Sequence, residues 1–315
     1  MAMEQTWRWY GPSDPVSLAD IRQAGATGIV TALHEIPIGE EWTREAIEER
    51  KRMIEWDDNA APPKRRGLTW SVIESIPVHE DIKQGKPNRD KWIEKYKNSI
   101  QNVGKSGIPV VCYNFMPVVD WTRTNLSMEL EDGARALAFV ITEFAAFELF
   151  MLRRPGAEKE YSDDIIEKAH AKYESMSDEQ RYILQKNIIA GLPGGQEGYT
   201  IEQFRDKLAE YDNIDEKQYR ENLKYFLDAV VPVAEESGVR LAIHPDDPPV
   251  PLFGLPRIVS TEQDIAYLVS IYDSIYNGFT LCTGSLGVRP DNDLVGIIER
   301  HGGKLNFAHL RSTQR

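Results

Sequence analysis

One pattern constrains the fold of this 315-residue chain more than any other. A short β-rich apolar run ends on a polar residue, a stretch of helical periodicity follows, and the unit repeats. The apolar runs are residues 7–10, 28–33, 68–73, 109–115, 239–243, 278–282 and 305–311. Helical spacing of apolar residues marks 43–54, 89–103, 221–236, 262–276 and 294–300, and glycines 25, 107, 238 and 302–303 punctuate the ends of several helical stretches. Strands alternating with helices predict parallel strands joined by crossovers, and nearly continuous apolar strands predict a sheet covered on both faces. Polar residues at the C-terminal ends of such strands point to a TIM-type (β/α)8 barrel, an α/β fold whose chemistry sits at that rim.

The pattern is interrupted after the fourth strand. Residues 125–220 read as a long, mostly helical insertion within a single barrel domain spanning 1–315. Within it, Gly191-Leu192-Pro193-Gly194-Gly195 lacks the preceding strand and following Lys-Ser/Thr of a phosphate cradle, and reads as a turn or hinge. Residues 56–66 read as a surface loop. Only seven strands are counted before Arg315. Because an open barrel has two unpaired edges, further chain or another element is expected to supply the eighth strand.

Charge and composition narrow the partners. A net charge of −13 repels phosphate backbones and anionic membranes, and the densest basic stretch, Lys64-Arg65-Arg66, is too short for a nucleic-acid face. No apolar run reaches the ~20 residues that cross a bilayer, and the N-terminus has no basic-then-apolar leader. With only Cys112 and Cys282, no disulfide framework exists, and the reducing cytoplasm is the expected compartment. A small molecule is the expected partner; homo-oligomerisation is left open.

Of the six histidines, His34, His244 and His309 close predicted strands, whereas His79, His170 and His301 fall in polar or charged surroundings. His244 opens His244-Pro245-Asp246-Asp247-Pro248-Pro249, where a carboxylate could orient a metal-bound imidazole or bind the metal itself. Cys282 ends its strand, and Gly284 would allow close approach to the backbone. His309 and Arg311 share one strand face by two-residue alternation, which suits a cation and an anionic substrate side by side. A His/Cys/His set fits Mn²⁺, Fe²⁺, Co²⁺ or Zn²⁺ better than Mg²⁺ or Ca²⁺. The same residues also fit a buried thiol between two hydrogen-bonded core histidines, and spacing leaves both readings open. Substrate contacts are expected from Arg8, Glu74, Asn114, Trp121, Arg123 and Arg311, with an ion pair an equal reading for Arg123. His34 and Tyr113 are the candidates for assisting proton transfer.

Several segments together resemble the D-mannonate dehydratase family. They are Thr6-Trp7-Arg8-Trp9-Tyr10-Gly11-Pro12, Thr31-Ala32-Leu33-His34, Val111-Cys112-Tyr113-Asn114-Phe115-Met116-Pro117, Asp120-Trp121-Thr122-Arg123-Thr124, His244-Pro245-Asp246-Asp247-Pro248-Pro249, Cys282-Thr283-Gly284-Ser285 and His309-Leu310-Arg311-Ser312. The resemblance implies a xylose-isomerase-like barrel that removes water from D-mannonate, giving 2-dehydro-3-deoxy-D-gluconate in hexuronate breakdown. It also implies Mn²⁺ or Fe²⁺ as cofactor, with His244, Cys282 and His309 as ligands. In that family the chain continues with an acidic/histidine segment, a tyrosine and the eighth strand, so the main acid and base and a further ligand are expected beyond Arg315. A metal-dependent sugar isomerase or epimerase and a catalytically inactive sugar-acid binder are the alternatives. A metal-dependent endonuclease is disfavoured by the charge.

Overall fold

Seven parallel strands form one sheet in the computed structural model of the chain, which describes residues 3–189 and 199–314. They are β1 (Thr6–Arg8), β2 (Gly28–Thr31), β3 (Thr69–Glu74), β4 (Val110–Tyr113), β5 (Arg240–Ile243), β6 (Asn277–Cys282) and β7 (Leu305–His309). Each pairs in parallel with the next, in the order of the sequence. Parallel neighbours need a crossover, and six helices supply it: α1 (Leu18–Gln23), α2 (Arg44–Glu55), α3 (Arg89–Lys105), α4 (Glu216–Ser237), α5 (Glu262–Ile271) and α6 (Leu294–His301). The expected α/β barrel architecture is therefore present, with every predicted run containing a strand. Among the described residues β1 and β7 are the sheet edges.

The helices form where caps and apolar spacing agree. Thr43 caps α2 by accepting the Ala46 N–H, and Ile47 and Ile54 on one face are buried. In α3 the buried Ile93, Tyr96, Ile100 and Val103 recur at helical spacing. A fully buried Ile such as Ile100 contributes roughly 1.5–3 kcal/mol through the apolar area it removes from water. After α4, Gly238 takes φ +68, a left-handed turn that glycine enters without a Cβ penalty and that starts β5.

Strand alternation sends every second side chain to the interior of the curled sheet. Val30, Val72 and Cys112 form one inner cluster, with Phe307 of β7 packed against it. The Cys112 Sγ lies 3.3 Å from Thr280 Oγ1 of β6, two strands away. Side-chain contact between strands that are not neighbours in the sheet requires the sheet to curl. The layer above it, at the strands' C-terminal ends, carries the polar residues. Between β6 and β7 the register slips once, after Phe279, so that Cys282 stands opposite His309. Gly278 permits this close pairing, because a Cβ there would lie 2.3 Å from the Lys304 carbonyl oxygen.

The chain forms two compact units. The sheet and its crossover helices belong to the first, Met1–Phe115, Gln218–Pro245 and Ile258–Arg315; the second comprises Met116–Lys217 and Asp246–Arg257. The second unit is not purely helical: Asn125–Glu129 and Arg135–Ala138 pair as an antiparallel hairpin. Leu126, Met128 and Leu130 alternate with polar residues and Asp132-Gly133 stands at the turn, a hairpin signal that the helical reading of this stretch passed over. Phe253, in the later segment, packs its ring 4.8 Å from Phe144 and 5.0 Å from Phe204, which ties that segment to the helices of its unit. Glu148 is buried there against Arg154 and the Tyr161 hydroxyl, and burial pushes its carboxyl above the ordinary value. The Gly191-Leu192-Pro193-Gly194-Gly195 segment lies outside the described residues. Residues 56–66, expected as a loop, contain a two-residue hairpin, Trp56–Asp57 with Lys64–Arg65, and Arg65 stacks 5.0 Å from the Trp56 ring.

Candidate metal centre

Three consecutive strands deliver His244, Cys282 and His309 to one spot. His244 follows β5, while Cys282 and His309 are the last residues of β6 and β7. One ligand-capable atom from each lies within 4.8 Å of the others. His244 Nε2 and His309 Nδ1 stand 3.1 Å apart. The outer nitrogens face oxygen: His244 Nδ1 is 2.7 Å from the Pro245 carbonyl, and His309 Nε2 is 3.2 Å from Glu74 Oε2. Both outer partners only accept hydrogen bonds, so the outer nitrogens carry the protons. The two inner lone pairs then point at each other, an arrangement that calls for a cation between them or a shared proton.

The electrostatics agree. Burial opposes the Cys282 thiolate, but His244 and His309 beside it outweigh that effect and bring the thiol down to about 5. Burial likewise opposes a charged His309, but Cys282 and Glu74 overcome it and raise the imidazole to about 9. His244 is also raised, against burial, chiefly by Cys282. Glu74 is held well below the carboxylate range despite its burial, by His309 and Arg8. The Arg8 Nη1 sits 2.8 Å from Glu74 Oε2.

A divalent ion would replace the proton between the imidazoles. Two nitrogens held about 2.1 Å from one ion and roughly 90–110° apart are separated by about 3.0–3.4 Å, which the observed 3.1 Å spacing fits. A thiolate and two imidazoles are borderline-soft donors suited to first-row transition ions.

Arg311 lies just past the end of β7, exposed, with Nη1 3.5 Å from Cys282 Sγ. Thr283 holds that stretch: its hydroxyl accepts the Arg311 N–H at 2.7 Å and donates to the Arg311 carbonyl at 2.7 Å. A Cβ on Gly284 would come within 2.5 Å of Arg311 Nε, so the glycine leaves room for this placement.

Other sequence candidates are placed differently. His34 lies three residues beyond β2, exposed, 6.3 Å from the Tyr10 ring, and its pKa is lowered by partial desolvation, Arg8 and Arg50. Tyr113 is fully buried, with its ring 5.9 Å from Phe226 of α4. Its hydroxyl has no hydrogen-bond partner, and burial raises it well above the ordinary value. The reason is parity: the preceding Cys112 faces inward, so Tyr113 faces the helices. The side chain expected to assist proton transfer at the rim is thus placed on the helical side of β4. Asn114 follows, half-buried.

Trp121 and Arg123 belong to the second unit. There Arg123 pairs with Asp247 at 2.8 Å, donates to the Thr122 carbonyl at 2.8 Å, and stacks 4.6 Å from the Trp121 ring. Of the two readings open for Arg123, the ion pair is the one observed. Asp246 faces Arg257 at 3.7 Å. The carboxylate expected to orient a histidine was Asp246 or Asp247, next to His244; instead the outer nitrogen of His244 meets the Pro245 carbonyl, and the carboxylate that meets a histidine of the set is Glu74, on His309. Sequence reasoning found Glu74 at its strand end but had no signal for its pairing with a residue 235 positions away.

Comparison with known proteins places these residues in context. The sequence profile described as "D-mannonate dehydratase (UxuA)" matches residues 3–315. A protein from Marinomonas sp. (strain MWYL1), described as a mannonate dehydratase, is 58% identical over 99% of this chain and 78% of its own length. A protein of the same description from Chromohalobacter salexigens is 54% identical over 99% of this chain and 78% of its own. The crystal structure of mannonate dehydratase from Streptococcus suis serotype 2 superposes with a TM-score of 0.74 at 40% identity, covering 98% of this chain and 73% of that one.

Proposed function

The chain belongs to the D-mannonate dehydratase family, and from that premise we propose that His244 Nε2, Cys282 Sγ and His309 Nδ1 hold the divalent ion of a hydro-lyase acting on D-mannonate. The substrate is a small sugar acid, and the product is 2-dehydro-3-deoxy-D-gluconate. Mn²⁺ or Fe²⁺ is the ion assigned. When bound, such an ion polarises the substrate's carboxylate and acidifies the proton beside it. The observation that carries this reading is the pair of imidazole nitrogens 3.1 Å apart. Each ring's other nitrogen is committed to an acceptor.

The chain's own residues then divide the work. Arg311, exposed beside Cys282, would offer a guanidinium to the substrate's carboxylate. His34, kept neutral near pH 7 and influenced by Arg8, is the better placed of the two sequence candidates to accept a proton. The net charge of −13 supports a small-molecule substrate over nucleic acid. Two unpaired cysteines support a cytoplasmic setting. No helix among the described residues is long and apolar enough to cross a membrane.

The test is incubation of the purified protein with Mn²⁺ or Fe²⁺ and D-mannonate, followed by assay for an α-keto acid. Its appearance in proportion to substrate consumed supports the dehydratase. Recovery of an epimer or isomer without keto acid would replace it with the isomerase reading. His309→Ala should abolish binding of the ion, and full metal content in that variant would remove His309 from the ligand set.

A further inference from the structure

We propose that Glu74 is a positioning residue that selects the metal-binding tautomer of His309, with Arg8 fixing Glu74 in place. The inference rests on the reading of His309 as a ligand. A neutral imidazole has one N–H and one lone pair, and it can hold an ion only through the nitrogen without the proton. His309 could present either. Glu74 Oε2, 3.2 Å from Nε2, accepts a hydrogen bond and cannot donate one as a carboxylate, so the proton is kept on Nε2. The lone pair is thereby assigned to Nδ1, the nitrogen that faces His244.

The two histidines therefore present opposite nitrogens for a structural reason. His244 bonds the adjacent Pro245 carbonyl through Nδ1 and presents Nε2. His309 has its fixed partner on another strand and presents Nδ1. Backbone supplies the first partner whatever the side chains are; the second depends on one side chain. Arg8 Nη1 meets the same Oε2 at 2.8 Å, which offsets the burial of the carboxylate and stops it from rotating away. The chain Arg8–Glu74–His309 runs from β1 through β3 to β7. It joins the two edge strands of the sheet at the rim where the ion would sit. Both Arg8 and Glu74 were expected to contact substrate; this arrangement gives them a role that needs no substrate.

The experiment is Mn²⁺ binding by chelator competition, without substrate, on the wild-type chain, Glu74→Ala, Glu74→Gln and His309→Ala, with circular dichroism as the check on folding. Loss of the orienting partner should weaken Mn²⁺ binding by about 10–100-fold in Glu74→Ala. In Glu74→Gln the amide oxygen can accept from both Arg8 and His309, because both use the one oxygen, so affinity should recover to within about fivefold of wild type. Glu74→Leu replaces Glu74→Ala if the smaller side chain unfolds the protein. Wild-type affinity in Glu74→Ala or Glu74→Leu would overturn the proposal. Equal loss in Glu74→Gln would overturn it too, because charge rather than tautomer selection would then be at work. Retained Mn²⁺ in His309→Ala would instead overturn the ligand reading beneath it.

Discussion

The ends of β5, β6 and β7 and the end of β4 are built from the same kind of sequence, an apolar strand closed by a polar residue, yet they do different things. His244, Cys282 and His309 converge until their ligand-capable atoms are within 4.8 Å of one another. Tyr113, at the end of β4, turns its hydroxyl toward the helical layer and leaves it without a partner. Strand parity and register make the difference. The slip after Phe279 sets Cys282 level with His309, whereas Tyr113 is one position out of phase with the inward Cys112. A polar residue at a strand end is therefore a site residue only when its parity also points inward.

The largest expected effect comes from removing a converging donor. Cys282→Ser should lower Mn²⁺ affinity by at least about a thousandfold and abolish keto-acid formation, because the thiolate supplies the negative charge of the set. Near-normal affinity would reduce the site to two histidines.

The second unit provides a polar pairing of another kind. Arg123 and Asp247 are both buried, at 7% and 4% side-chain exposure, and 2.8 Å apart. Asp247→Asn takes the carboxylate charge from a buried guanidinium and should cost about 3–5 kcal/mol of unfolding free energy. Denaturant unfolding measures it. A change below about 1 kcal/mol would mean that the pair is not structural.

A smaller effect separates the rim by pH. His309 must lose its proton to ligate, and its pKa stands at about 9. His244, also raised, must lose its proton as well, so Mn²⁺ affinity should rise with pH by at least about tenfold per unit from near neutrality until pH approaches 9, and then level off. Cys282, already a thiolate above about 5, adds no slope in that range. Isothermal titration in buffers of different ionisation enthalpy would report the released proton. A flat profile would contradict the protonated His309.

The smallest effect belongs to β4. Tyr113→Phe removes a buried hydroxyl that has no partner, so turnover should change less than about twofold and stability by less than about 1 kcal/mol. A hundredfold loss of turnover would put Tyr113 back among the catalytic candidates.

The strand and helix framework was legible because parallel barrel strands are buried on both faces and their helices carry a strong 3.6-residue period. The positions of His244, Cys282 and His309 could be read from the same framework, since each closes a strand. Less could be read of what those side chains meet. The facing of Tyr113 could not be read, because a one-residue shift at a strand end reverses the face. The Arg8–Glu74–His309 chain was hidden because its members lie on three separate strands. The hairpin at 125–138 had a local sign, Asp132-Gly133 between alternating apolar residues, that was passed over, whereas the inclusion of residues 246–257 in the second unit depends on tertiary packing, such as the Phe253 ring against Phe144 and Phe204, which has no local signature.

X-ray absorption on the chain loaded with one equivalent of Fe²⁺ tests the central claim most directly, because it counts the donors around the ion. The predicted shell contains one sulfur near ~2.3 Å and two imidazole nitrogens near ~2.1 Å, the distances typical of such donors on a borderline first-row ion. A shell of oxygen and nitrogen without sulfur would show that the ion binds elsewhere, and the convergence of His244, Cys282 and His309 would need another explanation.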